Sequence, residues 1–274
     1  MLKKEHNACD VGILGCGWLG IPLAKQLVEE GYRVRGSARK TKQLKRIEAV
    51  KATAFQVNCT EDGCVNCSSF FEGLEVLIIA LPPGLRKNPS ARFDRVMEHI
   101  IDALISAKIK KVIFISSTSV YGEQVGIITE ENLPSPTTES GKQLVKCEEF
   151  LLCNENFESV ILRFGGLIGA NRNPIHQVVK KPFIANPSDV INFIHQKDCV
   201  QLISRCIRYF RAGERYNGVT PYHPKRKDFY QQMADLHGLT CPPFKEIRAG
   251  KRLISSAKAQ EHLGGVFSVE NLLT

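Results

Sequence analysis

The stretch GILGCGWLG, from Gly12 to Gly20, restricts what this chain can fold into more than any other feature. It places Gly15, Gly17 and Gly20 in the spacing G-x-G-x-x-G. A strand-like run, Val11 to Leu14, precedes it, and a helical pattern follows from about Leu19 to Glu30, with Leu19, Leu23, Ala24, Leu27 and Val28 on one face. Gly31 ends that helix where a left-handed cap is cheap. In this context each glycine has a steric task. The first permits the tight turn, the second lets backbone approach a diphosphate, and the third allows close packing of helix on strand. Backbone amides from the turn around Cys16 to Leu19 are then expected to embrace that diphosphate at the positive end of the helix.

Short β-branched runs alternate with helical periodicity from residue 11 to about residue 210, as βαβ units around a parallel sheet require. Strands are expected at Tyr32 to Ala38, Ala52 to Val57, Val76 to Leu81, Lys111 to Ser116, Val160 to Phe164 and Val190 to His195. Between the fourth and fifth, Phe93, Val96, Met97, Ile100, Ile101 and Leu104 mark a long amphipathic helix. The expected fold is α/β, a doubly wound parallel-sheet Rossmann fold with a small C-terminal substrate lobe. The dinucleotide-binding domain is expected over 1–165, also using about 185–210. Residues 166–184 and 211–274 are assigned to the substrate-side lobe, with helices at about Lys227 to Leu236 and Ala257 to Leu263.

The end of the second strand separates the two pyridine dinucleotides, because sites for NAD place a carboxylate there for the ribose hydroxyls. This chain has Ser37-Ala38-Arg39-Lys40 instead, and Arg39 with Lys40 can neutralise a 2′-phosphate, so NADP is favoured over NAD. The net charge of +9 is concentrated nearby in Arg33, Arg35, Arg39, Lys40, Lys42, Lys45, Arg46 and Lys51, against the single acid Glu48. No recognition motif and no interleaved aromatics accompany the stretch, so it reads as a local anion site and nucleic acid is not an expected partner.

Ten cysteines raise the question of disulfides, but their scattered positions read as reduced thiols. Cys59, Cys64 and Cys67 are the exception in spacing. Zinc would want a fourth ligand and a second paired motif, neither of which is evident, so no metal is expected. The apolar runs, such as Val76 to Pro83, are strand-length, and no membrane partner is expected. The opening Met-Leu-Lys-Lys-Glu-His-Asn lacks a secretory pattern, which sets the expected location as the cytoplasm.

Further motifs follow in order. The fourth strand ends in Ala80-Leu81-Pro82-Pro83, and the fifth leads into the segment from Ile115 through Ser116, Ser117, Thr118 and Ser119 to Val120, Tyr121 and Gly122. Then come Arg163-Phe164-Gly165-Gly166-Leu167-Ile168-Gly169 and the segment from Asn192 and Phe193 through His195 to Asp198. In this arrangement the chain resembles the extended short-chain dehydrogenase/reductases of the NAD-dependent epimerase/dehydratase type, which act on nucleotide sugars. The terminal segments Tyr216-Asn217-Gly218-Val219, His223-Pro224, Phe229-Tyr230 and Lys251-Arg252 resemble the atypical, nucleotide-sugar epimerase-like subgroup. The resemblance and the fingerprint together imply cofactor contacts from Gly15, Cys16, Gly17, Trp18, Leu19, Gly20, Ser37, Arg39, Lys40, Asn58, Ala80, Leu81, Pro82, Ser116, Phe164 and Gly165.

The chain departs from the family at the proton chemistry. A Tyr-x-x-x-Lys pair is expected on the helix after the fifth strand, the lysine lowering the tyrosine's pKa and binding ribose. The stretch from Thr137 to Glu148 contains no tyrosine. If Lys142 is the family lysine, Thr138 takes the tyrosine position; if Glu148 sets the register, Ser140 and Leu144 take the pair. The catalytic candidates are therefore Ser117, which would polarise a substrate oxygen, Tyr121 as a substitute acid, and Lys142 for ribose. His195 reads as structural and Asp198 as a helix cap. The expected activity is an NAD(P)-dependent epimerase, dehydratase or reductase acting on a small molecule, a nucleotide sugar or a similar polar carbonyl/alcohol substrate. The alternative is a non-catalytic NAD(P)-binding sensor. Relatives pair through the helices at about Arg92 to Ala107 and Gly141 to Leu152, so a homodimer is possible.

Overall fold

The computed structural model describes residues 9–85, 88–247, 251–264, 267–269 and 272–273. Its centre is a seven-stranded sheet built, in chain order, from β1 (Asp10–Leu14), β2 (Arg33–Ala38), β3 (Thr53–Gln56), β4 (Val76–Ile79), β5 (Lys111–Ser117), β6 (Glu158–Phe164) and β7 (Arg215–Gly218). The spatial order is β7-β6-β5-β4-β1-β2-β3, and every neighbouring pair is parallel. The order reverses between β1 and β4, so the carboxyl ends of the strands open onto a crevice at that switch point.

Strand alternation sends side chains to opposite faces. Val11, Ile13, Ile78, Ile113 and Leu162 enter one apolar layer with Leu23 and Leu27 of α1 (Gly20–Glu29) and Ile47 of α2 (Thr41–Glu48). Leu14, Leu77, Ile79, Phe114 and Ile161 enter the other with Met97 of α3 (Phe93–Ser106) and Leu144 and Leu151 of α4 (Glu139–Leu152). The first layer is completed by α5 (Gln196–Arg208), through Leu202, Ile203 and Cys206. The sheet is thus covered on both faces, as near-continuous apolar strands such as Val76–Ile79 demand.

A separate apolar cluster forms the small lobe. It joins Ile168, Ile175 and Ile184 to Phe229, Tyr230 and Met233 of α6 (Arg226–Leu236). One expectation is corrected here. The strand expected at Val190 to His195 does not join the main sheet; Phe193–His195 pairs with Gly166–Ile168. The diversion is possible because a Cβ at Gly166 would lie 2.2 Å from the Phe193 ring, so only glycine admits that approach. From the chain after residue 211, β7 completes the sheet and α7 (Ala257–Leu263) gives Ala259 and Leu263 to the first layer. Among the described residues no helix is long and apolar enough to cross a membrane.

Candidate cofactor site and its surroundings

The fingerprint closes the turn from β1 into α1 as its glycines require. Gly15 has a φ of +104°, and a Cβ there would stand 3.1 Å from the Ala80 carbonyl oxygen and 2.9 Å from Leu81 Cδ2. At Gly20 a Cβ would stand 2.7 Å from the Gly15 carbonyl oxygen. At Gly17 it would meet nothing within 4 Å, so nothing in the fold itself demands glycine there. An approaching ligand supplies such a demand.

An inventory of the amides sharpens this. The Gly15 N–H donates to Ser37 Oγ (3.1 Å), that of Cys16 to the Ser37 carbonyl (2.7 Å) and that of Gly17 to the Gly15 carbonyl (2.9 Å). Those of Trp18, Leu19 and Gly20 have no partner among the described residues. Of the amides expected from Cys16 to Leu19, those of Cys16 and Gly17 are engaged within the turn, and those of Trp18 and Leu19, joined by Gly20, are left over. Three donors at the start of α1, beside open space at Gly17, fit a dinucleotide diphosphate.

Ser37 is buried and anchors the turn from β2, a structural use of a residue expected to contact cofactor. Cys16 is likewise wall. Its sulfur packs on Gly36, its carbonyl accepts from Gln43 Nε2 (2.7 Å), and burial pushes its thiol up to about 12. Trp18 reaches across to the chain beyond β6. Its indole N–H donates to the Ala170 carbonyl (2.8 Å), its own carbonyl accepts from Gln196 Nε2 (2.7 Å), and the Arg172 guanidinium lies 5.1 Å from the ring centroid. Ala170 and Arg172 carried no sequence signal, because partners more than 150 positions apart, as in Trp18 with Ala170, leave no local pattern.

The basic stretch divides by role. Arg33 pairs with Asp10 (2.8 Å), and Arg35 donates to the carbonyls of Ser69, Phe70 and Glu72. Arg39 and Lys40 are exposed just beyond the carboxyl end of β2, with Arg39 held through its carbonyl by Gln56 (3.1 Å). Asn58 is exposed in a hairpin, Asn58–Thr60 against Gly63–Val65, that follows β3. Ala80, Leu81 and Pro82 leave β4 beside Gly15. Phe164 is buried against Gly218, and a Cβ at Gly165 would lie 2.4 Å from the Asn192 carbonyl oxygen, so at both positions the side-chain space is fixed by packing.

Around β5 the structure separates the candidates. Ser117 is half-buried, and its Oγ accepts from the Ser119 N–H (3.1 Å), capping a short 3-10 turn, Thr118–Tyr121. Its hydroxyl proton meets no acceptor among the described residues. Arg252 braces the same turn by donating to the carbonyls of Thr118 and Gly122. Ser116 points the other way, into a buried network: its hydroxyl donates to Glu148 (2.5 Å), Glu148 is paired with Arg163 (2.6 Å), and Arg163 donates to Tyr121 Oη (2.9 Å). Tyr121 in turn donates to Asn217 Oδ1 (2.8 Å), is wholly enclosed, and has its phenol pushed above its ordinary value by burial. Both hydrogen-bonding capacities of the phenol expected as a substitute acid are therefore met inside the protein.

The two registers on α4 also part. Lys142 is exposed in the first turn, and Thr138 accepts from the Gly141 N–H (3.1 Å), so its hydroxyl caps the helix. Glu148 and Leu144 face inward, Leu144 in the apolar layer. Ser140 is half-buried beside Gly141, where a Cβ would stand 3.0 Å from the Ser119 carbonyl oxygen. At the start of α5 the cap is His195, whose Nδ1 accepts from the Lys197 N–H (3.2 Å), and burial holds its ring below the ordinary value. Asp198 is not the cap; it is fully buried and accepts from the Ser268 N–H and hydroxyl. Among the described residues no group of three ligating side chains is placed to hold a metal.

An all-parallel sheet with this order, a glycine turn at its switch point and uncommitted amides at the following helix define a dinucleotide-binding protein of the Rossmann class. The chain belongs to the NAD(P)H-binding family, whose model matches residues 15–189. It is similar to protein YeeZ of Escherichia coli K12, with 33% identity over 262 residues that cover 93% of this chain and 94% of that protein. Protein YtcB of Bacillus subtilis, described as an uncharacterized UDP-glucose epimerase, is 26% identical over 161 residues, covering 53% of this chain and 50% of its own. The fold is that of the UDP-sugar epimerases. UDP-glucuronic acid 4-epimerase from Bacillus cereus, solved in complex with NAD, superposes with a TM-score of 0.79 at 19% identity, covering 96% of this chain and 95% of its own.

Proposed function

We propose that this chain is an NAD(P)-dependent epimerase, dehydratase or reductase acting on a nucleotide sugar or a similar polar carbonyl/alcohol substrate. The reading is carried by the three uncommitted amides of Trp18, Leu19 and Gly20 beside the open space at Gly17. The dinucleotide, when bound, supplies hydride exchange at its nicotinamide ring. The chain's own residues do the rest. The α1 amides hold the diphosphate, and Arg39 and Lys40 neutralise a 2′-phosphate, which favours NADP over NAD. Ser117 turns its unshared hydroxyl proton toward the reacting oxygen. With Tyr121 enclosed and hydrocarbon at Leu144, the proton at that oxygen comes from water or from the substrate itself. The substrate class is supported by the UDP-sugars named for the epimerases of B. cereus and Thermotoga maritima that share the fold.

The test has two stages. Calorimetric titration with NADPH and NADH is expected to give binding, tighter for NADPH. A panel of nucleotide sugars with isotopically labelled cofactor is then expected to give hydride exchange that Ser117→Ala removes while dinucleotide affinity is kept. No association with either dinucleotide defeats the whole reading. Binding without exchange for any panel member defeats the enzymatic part.

A second reading, a non-catalytic NAD(P) sensor, is favoured by one observation: Leu144 fills with hydrocarbon the place where the Glu148 register would set a lysine. Affinity capture with and without NADPH separates the two. A partner set that changes with the dinucleotide favours sensing, and identical sets count against it.

A further inference from the structure

The hairpin after β3 holds a feature that dinucleotide binding does not use. Its pairing, Asn58–Thr60 against Gly63–Val65, sets Cys59 directly opposite Cys64, with both side chains half-buried. Directly opposed residues of an antiparallel pair have Cα atoms about 4.5 to 5.5 Å apart. A disulfide accepts Cα separations of about 4.4 to 6.8 Å, so this bond closes without moving either strand. The two facing thiols act on one another's titration across the pair. That influence holds the Cys64 thiol below its ordinary value and pushes the Cys59 thiol up. Cys67, the third thiol of the cluster, is turned elsewhere: its sulfur donates to the Cys64 carbonyl (3.3 Å).

The other described cysteines lack this arrangement. Cys16, Cys147, Cys199 and Cys206 are buried, and burial pushes each thiol up. No other strand pairing among the described residues brings two cysteines into register. The hairpin is also held in place. Glu61, in its turn, accepts from the Arg92 N–H (2.8 Å) through its carboxylate, and its carbonyl lies 3.0 Å from His99 Nε2 on α3.

We propose that Cys59 and Cys64 form a site of reversible oxidation, closing to a cross-strand disulfide when the chain meets a hydroperoxide. The Cys64 thiolate attacks one peroxide oxygen; the O–O bond breaks, a sulfenic acid forms on Cys64, and the departing oxygen takes a proton to leave as an alcohol, or as water from hydrogen peroxide. The Cys59 sulfur, giving up its proton, then attacks the Cys64 sulfur; the S–S bond forms, the S–O bond breaks, and hydroxide leaves as water. Two thiols lose two electrons, and the peroxide gains them. The proposal is independent of the enzymatic reading, since it needs neither dinucleotide nor substrate.

The experiment treats the reduced full chain with hydrogen peroxide, blocks remaining thiols by alkylation, cleaves at Asp62 without reductant and maps the peptides by mass spectrometry. The expected result is two peptides joined through Cys59 and Cys64, lighter by two hydrogens and separated by dithiothreitol. Cys59→Ser is expected to leave a sulfenic acid on Cys64 that dimedone captures, and Cys64→Ser to abolish the cross-link. In guanidinium, where the strand register is lost, Cys67 is expected to compete for the same partner. Oxidation at the exposed Cys153 with an untouched hairpin overturns the proposal. So does a folded chain that yields the same mixture with Cys67 as the unfolded one. Melting curves of both serine variants establish that they are folded before their oxidation is read.

Discussion

Two alanines in the glycine turn pull ligand and fold apart. At Gly17 an added Cβ meets nothing within 4 Å and the backbone is not left-handed, so Gly17→Ala costs the fold nothing in contacts. Removing a glycine stiffens the unfolded chain, worth about 0.4 to 1 kcal/mol, and for a chain of this size the melting temperature should rise by roughly 1 to 4 °C. At Gly20 the added Cβ lies 2.7 Å from the Gly15 carbonyl oxygen and 3.4 Å from Ile13 Cγ2, and a backbone atom cannot swing aside. Overpacking of this kind costs about 1 to 3 kcal/mol, a fall of roughly 2 to 12 °C. The order reverses for the dinucleotide. A methyl group at Gly17 holds the diphosphate off the amides, and one lost hydrogen bond to a charged group is worth about 1.5 to 3 kcal/mol, or roughly 10- to 150-fold in Kd. Scanning fluorimetry of the unliganded proteins and calorimetry with NADPH and NADH measure the two halves separately. A Gly17→Ala protein that is folded and binds both dinucleotides as the parent does refutes the argument, because the open space would then belong to nothing.

Three further outcomes follow from the site and its supports. Replacing Arg39 and Lys40 together by glutamate should exchange the cofactor preference, weakening NADPH more than NADH in side-by-side titrations, and an unchanged ratio removes these residues from the 2′-phosphate. Tyr121→Phe leaves Arg163 and Asn217 short of a partner inside the protein, costing about 1 to 3 kcal/mol in denaturant melts, while any hydride exchange keeps its pH profile; a shifted profile restores Tyr121 to the chemistry. Because burial holds folded His195 below the unfolded value of about 6.5, the unfolded chain binds the proton first as pH falls. Its contribution is therefore complete above about pH 6.5 and lost below it, so thermal melts should decline across that window. His195→Asn, which replaces the capping nitrogen with an oxygen acceptor that does not titrate, should flatten the decline.

What could be read from the sequence was what local sterics and periodicity encode. Gly15 announces itself by the left-handed turn it makes and Gly20 by the Gly15 carbonyl five residues back, and the runs Val76–Ile79 and Phe93–Ser106 declare themselves by apolar spacing. Cys59 and Cys64 were visible as neighbours in sequence but not as partners across a hairpin. The edge strand Arg215–Gly218 was hidden because its buried Asn217 reads as polar, and the partners of its side chain that explain its burial, Tyr121 and Ser255, lie 96 and 38 positions away. Ser116 and Ser117 look alike in sequence, yet strand alternation turns the first toward Glu148 and leaves the second free to cap Ser119. The choice between registers on α4 likewise waited for the inward turn of Glu148 to Arg163.

Trp18 joins the two ends of this economy. Its amide is one of the three donors left for the diphosphate, while its indole and carbonyl are fastened to Ala170 and Gln196, on either side of the strand pair that leads into the lobe. The start of α1 is therefore riveted to the chain segments that lead into the lobe. A displacement of the Gly169–Arg172 turn would pull on the indole and, through it, on the backbone that leads into α1.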